Sequence, residues 1–253
     1  VDRHVVGILE ASEGQLGVRR YIAYNTGMPA AEFEKRRGDA GAMDESGPGL
    51  VRDLYDEAQY LQANSRPSDA EPLMRRALAI DEATYGAHHP NVATGLISLA
   101  LLLQSTNRLS EAEPLMRRAL AIDEACYGAD HPSVATDLNN LAQLLQATNR
   151  LSEAELLMRR ALAIDEASYG PDHPKIATRV NNLGVLLQAT NRLSEAEPLI
   201  RRALAIDEVS YGRDHTNVAT YLNNLAQLLQ ATNRLSEAEP LIRRALAIDE
   251  ASY

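Results

Sequence analysis

Residues 132–173 read PSVATDLNNLAQLLQATNRLSEAELLMRRALAIDEASYGPDH, and this stretch decides the fold because it recurs. Its second half starts at Ser152 and returns almost unchanged from Ser110, Ser194 and Ser236, with the variant SDAEPLMRRALAIDEA from Ser68, at a constant spacing of 42 residues. The units are 48–89, 90–131, 132–173, 174–215 and 216–253, the last of them four residues short, while residues 1–47 fall outside the register. A fixed period of this length marks a solenoid in which every unit is one supersecondary element.

Within the quoted unit, Leu138, Leu141, Ala142 and Leu145 recur at helical spacing, which predicts an amphipathic helix from Pro132 to about Ala147. Pro132 sits at its first position, where a missing N–H costs nothing. Thr148-Asn149-Arg150-Leu151 is the connection, and Ser152 followed by Glu155 predicts a capping box that opens a second helix running to about Ser168. Ala154, Leu157, Met158, Ala161 and Leu162 form its apolar stripe, and Tyr169-Gly170-Pro171-Asp172-His173 ends it. Pro114, Pro198 and Pro240 each follow a capping Ser by four residues and are expected to remove a hydrogen bond only in the first turn. A lone hairpin of this size lies near the ~40-residue limit for an independent core, so each unit must bury its outer face on the next. The expectation is an all-α solenoid of stacked helical hairpins.

The pattern Leu138, Leu141-Ala142, Leu145, Ala154, Met158, Ala161 resembles the tetratricopeptide repeat. The longer period, with Tyr-Gly-x-Asp-His-Pro-x-Val-Ala-Thr at the unit boundary, is similar to the kinesin-light-chain type widespread in bacterial proteins. This resemblance implies a right-handed superhelix whose first helices line a concave groove and whose second helices form the back. It also implies a protein-binding scaffold and not an enzyme. On that assignment the face opposite the Leu stripe carries Thr136, Asn139, Asn140, Gln143 and Ala147, then Thr178, Asn181, Asn182 and Val185, then Thr220, Asn223, Asn224 and Gln227. These are the expected peptide-binding residues. Amides offer donor and acceptor together, so an asparagine column suits the backbone of an extended peptide. The competing reading is that the asparagines solvate the face or bond between neighbouring repeats.

Hydrogen bonds of about 0.5–1.5 kcal/mol net give weak binding alone, so an apolar anchor is expected. Ile97 and Leu101 occupy the positions of Asn139 and Gln143 in unit 90–131 and are the candidates, either for a partner's apolar side chain or for packing under residues 1–47. Unit 48–89 departs again, with Arg52, Tyr55, Asp56 and Gln59. Family members that clamp a terminal carboxylate use groove Lys and Arg; here those positions are nearly uncharged, with Lys175 and Arg179 off the Asn182 column.

A formal charge of −10 and 4% aromatic residues leave no basic stripe or stacking platform, which argues against nucleic acid. The lone Cys126 allows no internal disulfide and fits a reducing, cytoplasmic setting, and no uncharged run reads as a signal peptide or membrane span. His89, His131, His173 and His215 recur before the first helices and read as caps, too far apart for a metal. The Arg pairs at 75/76, 117/118, 159/160, 201/202 and 243/244 sit among Glu and Asp and read as a solvated mixed-charge face. Acids are expected on the convex helices, outside any cleft. No P-loop, nucleophile elbow, zinc-protease motif or dinucleotide fingerprint occurs, so no catalytic residue, metal or cofactor is expected.

Residues 1–47 read as an N-terminal cap or the tail of an upstream domain, with short helices at Val5–Leu9 and Leu16–Tyr24 and a linker through Gly38–Gly41 and Ser46–Gly49. The chain reads as a fragment. It is either the scaffold itself, the sensor arm of a larger bacterial enzyme or signalling protein, or a self-assembling structural protein associating end to end through the last repeat.

Overall fold

The computed structural model describes residues 48–251, all of whose regular elements are α-helices. The described residues divide into two compact units that meet between Thr106 and Asn107 in the chain. In the first unit, α1 (Pro48–Ala63) packs on α2 (Pro67–Tyr85), and α2 on α3 (Pro90–Ser105). In the second unit, α4 (Leu109–Tyr127), α5 (Pro132–Ala147), α6 (Leu151–Tyr169), α7 (Pro174–Ala189), α8 (Leu193–Tyr211), α9 (Thr216–Ala231) and α10 (Leu235–Ala251) follow in order. Each packs on the next, α5 on α6, α7 on α8 and α9 on α10 as hairpins, α4 on α5, α6 on α7 and α8 on α9 as junctions between repeats. The expected helices at Val5–Leu9 and Leu16–Tyr24 lie outside the described residues. Of the expected linker, Pro48 and Gly49 instead form the first turn of α1.

Three short sequences set the helix ends. His131 caps α5, its Nδ1 accepting the Ser133 N–H at 3.1 Å, and its ring stacks on Tyr127 at 4.6 Å between centroids. His89, His173 and His215 do the same for their own helices. Such an Nδ1 lone pair places the ring proton on Nε2. At the other end of α5, Asn149 takes a left-handed φ of 60°, so that Arg150 N–H reaches Leu145 C=O at 2.8 Å and Asn149 N–H reaches Gln146 C=O at 3.0 Å. These two bonds are a Schellman motif, and Asn tolerates its left-handed position better than most residues.

The capping box does not form. Because the Schellman turn already delivers Arg150 to the N-cap, α6 starts at Leu151 and Ser152 lies inside its first turn. No side chain caps the backbone there; Arg150 instead bonds Glu153 at 2.6 Å. The same two-residue shift of the N-cap moves Pro114, Pro198 and Pro240 to the sixth position of their helices, beyond the first turn. All three are exposed, so the carbonyl each leaves unpaired faces water.

The arginine pairs divide the labour more finely than a solvated face. Arg117, Arg159 and Arg201 pair with the Glu four residues before them on their own helices. Arg160 crosses to the preceding repeat, pairing with Glu124 at 2.7 Å and donating to the Ala129 carbonyl at 2.9 Å. Arg202 repeats this with Glu166 and the Pro171 carbonyl, and Arg244 with Glu208 and the Arg213 carbonyl. The second arginine therefore ties repeats together.

Apolar packing supplies the core. Val134, Ala135, Leu138, Ala161 and Ile164 form one buried cluster, onto which Leu120 from α4 and Leu157 from α6 pack. Val218, Ala219, Leu222, Ala245 and Ile248 form its counterpart further along. Where α7 carries Gly184, a Cβ would stand 2.7 Å from Ile200 Cγ1, so the α7–α8 hairpin closes on a hydrogen atom at that point.

Asp123, Asp165 and Asp207 continue the buried stripe of the second helices and face a single position of the following first helix. They do not lie with the exposed acids. That position holds Asp137, Arg179 and Tyr221 in turn; Asp165 is 1% exposed and accepts from Arg179 Nε at 2.7 Å.

Leu141 is fully buried, so Leu141→Ala should lower stability by about 2–5 kcal/mol through a residual cavity, read as a fall in urea midpoint. Arg179→Ala should cost about 3–5 kcal/mol because it strands the Asp165 carboxylate, and adding Asp165→Asn should recover part of that loss.

Candidate functional site

In the second unit the expected face is borne by α5, α7 and α9. Thr136, Thr178, Thr220 and Gln227 are exposed, and Asn140, Asn182, Asn223, Asn224, Gln143 and Val185 are half-buried. Asn139 and Asn181, by contrast, are only 5% and 6% exposed.

The amides link successive repeats. Asn182 Nδ2 donates to Asn139 Oδ1 at 3.2 Å, and Asn224 Nδ2 donates to Asn181 Oδ1 at 2.9 Å. One asparagine of each pair thus turns toward the neighbouring helix while the other bridges to the repeat before it. A carboxamide holds a second N–H and two oxygen lone pairs, so each bridging side chain keeps capacity beyond this bond. Asn is a mediocre helix former, and this pairing is the physical return for placing it twice in mid-helix.

Arg179 belongs to the same surface. Besides its ion pair with Asp165, its Nη2 donates to Thr136 Oγ1 at 3.2 Å, which joins α7 to α5. Thr178 Oγ1 and the Tyr221 hydroxyl lie 3.4 Å apart and join α9 to α7. With Arg179 neutralised by Asp165, the face offers hydroxyls and amides more than net charge.

The residues that sequence reasoning passed over are those facing the buried aspartates. Their signal was present: Asp165 follows Ala154, Met158 and Ala161 at stripe spacing, and positions 137, 179 and 221 hold different residues in otherwise near-identical helices. Burial sets their electrostatics. Asp207 is raised above the ordinary carboxylate range by burial, against the pull of Asn217, His215 and Tyr221. Tyr221 is likewise raised, chiefly by burial.

In the first unit, α3 carries half-buried Ile97 and exposed Leu101, the latter at 39%. The Tyr55 hydroxyl fills the space beside Gly95, where a Cβ would come within 2.2 Å of it, and it donates to buried Asp81 at 3.5 Å. Tyr55 stands where Asn139 stands in its own repeat, so this repeat trades its amide for a phenol that reaches the aspartate. Among the described residues, no cluster of three or more metal-ligating side chains occurs and no helix is long and apolar enough to cross a membrane.

A family model described as tetratricopeptide repeat matches residues 53–125, 108–167, 157–208 and 179–251. No curated protein sequence matches the chain. Among solved structures, BtubC (BKLC) from P. vanneervenii is similar over 93% of this chain and 92% of its own, at 25% identity and a TM-score of 0.73. The nearly identical kinesin-light-chain-like repeats of Podosopora anserina cover 81% of this chain and 98% of their own, at 25% identity and a TM-score of 0.68. PilF of Pseudomonas aeruginosa, at 20% identity and a TM-score of 0.56, shares the fold over 80% of this chain and 77% of its own. The 42-residue hairpin, its stacking and these matches agree: the chain belongs to the tetratricopeptide repeat family, and its structural neighbours are of the kinesin-light-chain type.

Proposed function

We propose that the chain is a non-enzymatic scaffold and that the face of α5, α7 and α9 receives an extended peptide segment of a protein partner. Proteins of this family generally act as non-catalytic interaction modules, which supports the class of function. The observation that carries the site is the repeated row of exposed threonines beside half-buried amides, at matching positions on the first helices of three successive repeats. An extended backbone presents N–H and C=O groups at regular intervals, and a neutral row of donors and acceptors matches it without demanding a particular side chain. On α3, Ile97 and Leu101 form a separate apolar subsite for a partner side chain.

The asparagine bridges also hold repeats together, so the groove is best tested through residues that do not. Capture of a partner with this chain and mapping of its bound peptide comes first. The triple change Gln143→Glu, Val185→Glu and Gln227→Glu should then leave the helical signal intact and weaken that peptide at least tenfold. Undiminished affinity would refute the assignment. Ile97→Asn tests the α3 subsite by itself: unchanged affinity for a captured partner would refute that subsite.

A further inference from the structure

Junctions between successive repeats place one buried aspartate of a second helix against one variable residue of the next first helix. Asp165 meets Arg179 and forms an ion pair. Asp207 meets Tyr221, a neutral residue whose hydroxyl lies 3.4 Å from Thr178 Oγ1, and both Asp207 oxygens are buried without a hydrogen-bond partner. Asp123 on α4 meets Asp137 on α5, and this junction has no counter-charge of its own. The two carboxyls act on each other through their charge, and Asp123 Oδ1 and Asp137 Oδ2 are buried without any hydrogen-bond partner. Asp123 is 8% and Asp137 5% exposed.

Two ionised carboxylates in contact inside a protein repel strongly and lose their hydration. A cation must therefore sit with them in the packed state. Access decides which one. The two unpartnered oxygens are closed to solvent, so a metal ion or a partner's guanidinium reaches them only by parting α4 from α5, whereas a proton fits the geometry as it stands. Few other charges bear on the pair. His131, at the N-cap of α5, acts on Asp123 from one side. On α7, Arg179 is already paired with Asp165, which is the acid that α6 contributes.

We propose that the α4–α5 junction is a proton-operated joint: Asp123 and Asp137 hold one shared proton that closes it, and release of that proton loosens α5 from α4. Burial first, and the Asp123 charge second, push the Asp137 carboxyl up to about 7, which is consistent with this arrangement. The joint stands whether or not the α5 face binds a peptide, since it concerns only the packing of two helices.

An acid that keeps its proton when folded and releases it near pH ~4 when unfolded stabilises the fold at low pH. That contribution shrinks as pH rises from about 4 to about 7 and is gone above. For the full chain, the unfolding constant from urea titration should therefore rise with pH between 5 and 7 by roughly 10- to 100-fold more than in Asp137→Asn. Asp137→Arg, which copies the neighbouring Asp165–Arg179 junction, should share the flat profile of Asp137→Asn and restore a paired Asp123. Parallel pH profiles for the unmodified chain and both variants would overturn the joint. If neither variant folds, carbon-13 titration of the Asp137 carboxyl in the unmodified chain decides. A midpoint near neutrality supports the shared proton, and one in the ordinary aspartate range refutes it.

Discussion

Every repeat carries an apolar face that its own two helices cannot cover. A hairpin of 42 residues hides the inner sides of its helices, but the second helix still presents an apolar stripe that includes Leu162 to whatever follows, and Leu162 packs on the Ile176–Ala177–Val180 cluster of the next repeat. Burial of that stripe on the next first helix is what makes the arrangement cooperative, because each junction exists only if both neighbours are folded. Caps, turns and ion pairs are fitted around this demand. The Schellman turn fixes where the second helix starts, the His–Tyr stack fixes where the next first helix starts, and their fixed spacing keeps all apolar stripes in register.

Much of this was legible because a repeat compares the sequence with itself. Helix limits came within a residue or two of those observed, since Pro132 and Gly170 mark their ends by backbone chemistry that needs no tertiary contact. The capping box failed for a reason the local string does not hold. Ser152 and Glu155 have the right spacing, but Asn149 sets the N-cap two residues earlier and Glu155 is engaged by Arg159 and Arg192. The fate of Arg160 was equally invisible, because its partners lie more than thirty residues back in the chain.

The face of α5, α7 and α9 was legible as a set of positions and not as a set of bonds. Helical periodicity puts Asn139 and Asn140 on the same side, but only the approach of neighbouring helices decides which amide is buried and which bridges. The aspartates show the converse. Asp123, Asp165 and Asp207 look alike in sequence, and their differing environments follow from one residue on the adjoining helix. Near-identity between repeats thus conceals junctions of unlike chemistry, one ionic, one phenolic and one acidic.

The crossing arginines matter for how the second unit bears a load. Arg160 and Arg202 each grip both a glutamate and a loop carbonyl of the repeat behind them, so a pull along the chain is resisted at a discrete clasp. When one clasp opens, amide bridges such as Asn182–Asn139, ion pairs such as Arg192–Glu155 and apolar packing still hold its repeat to its neighbour, and the repeat comes free only when these give way as well. It then pays out up to ~3.3–3.6 Å of contour per residue before the next clasp takes the strain. The array is thus a chain of fuses, in which tension is relieved one repeat at a time.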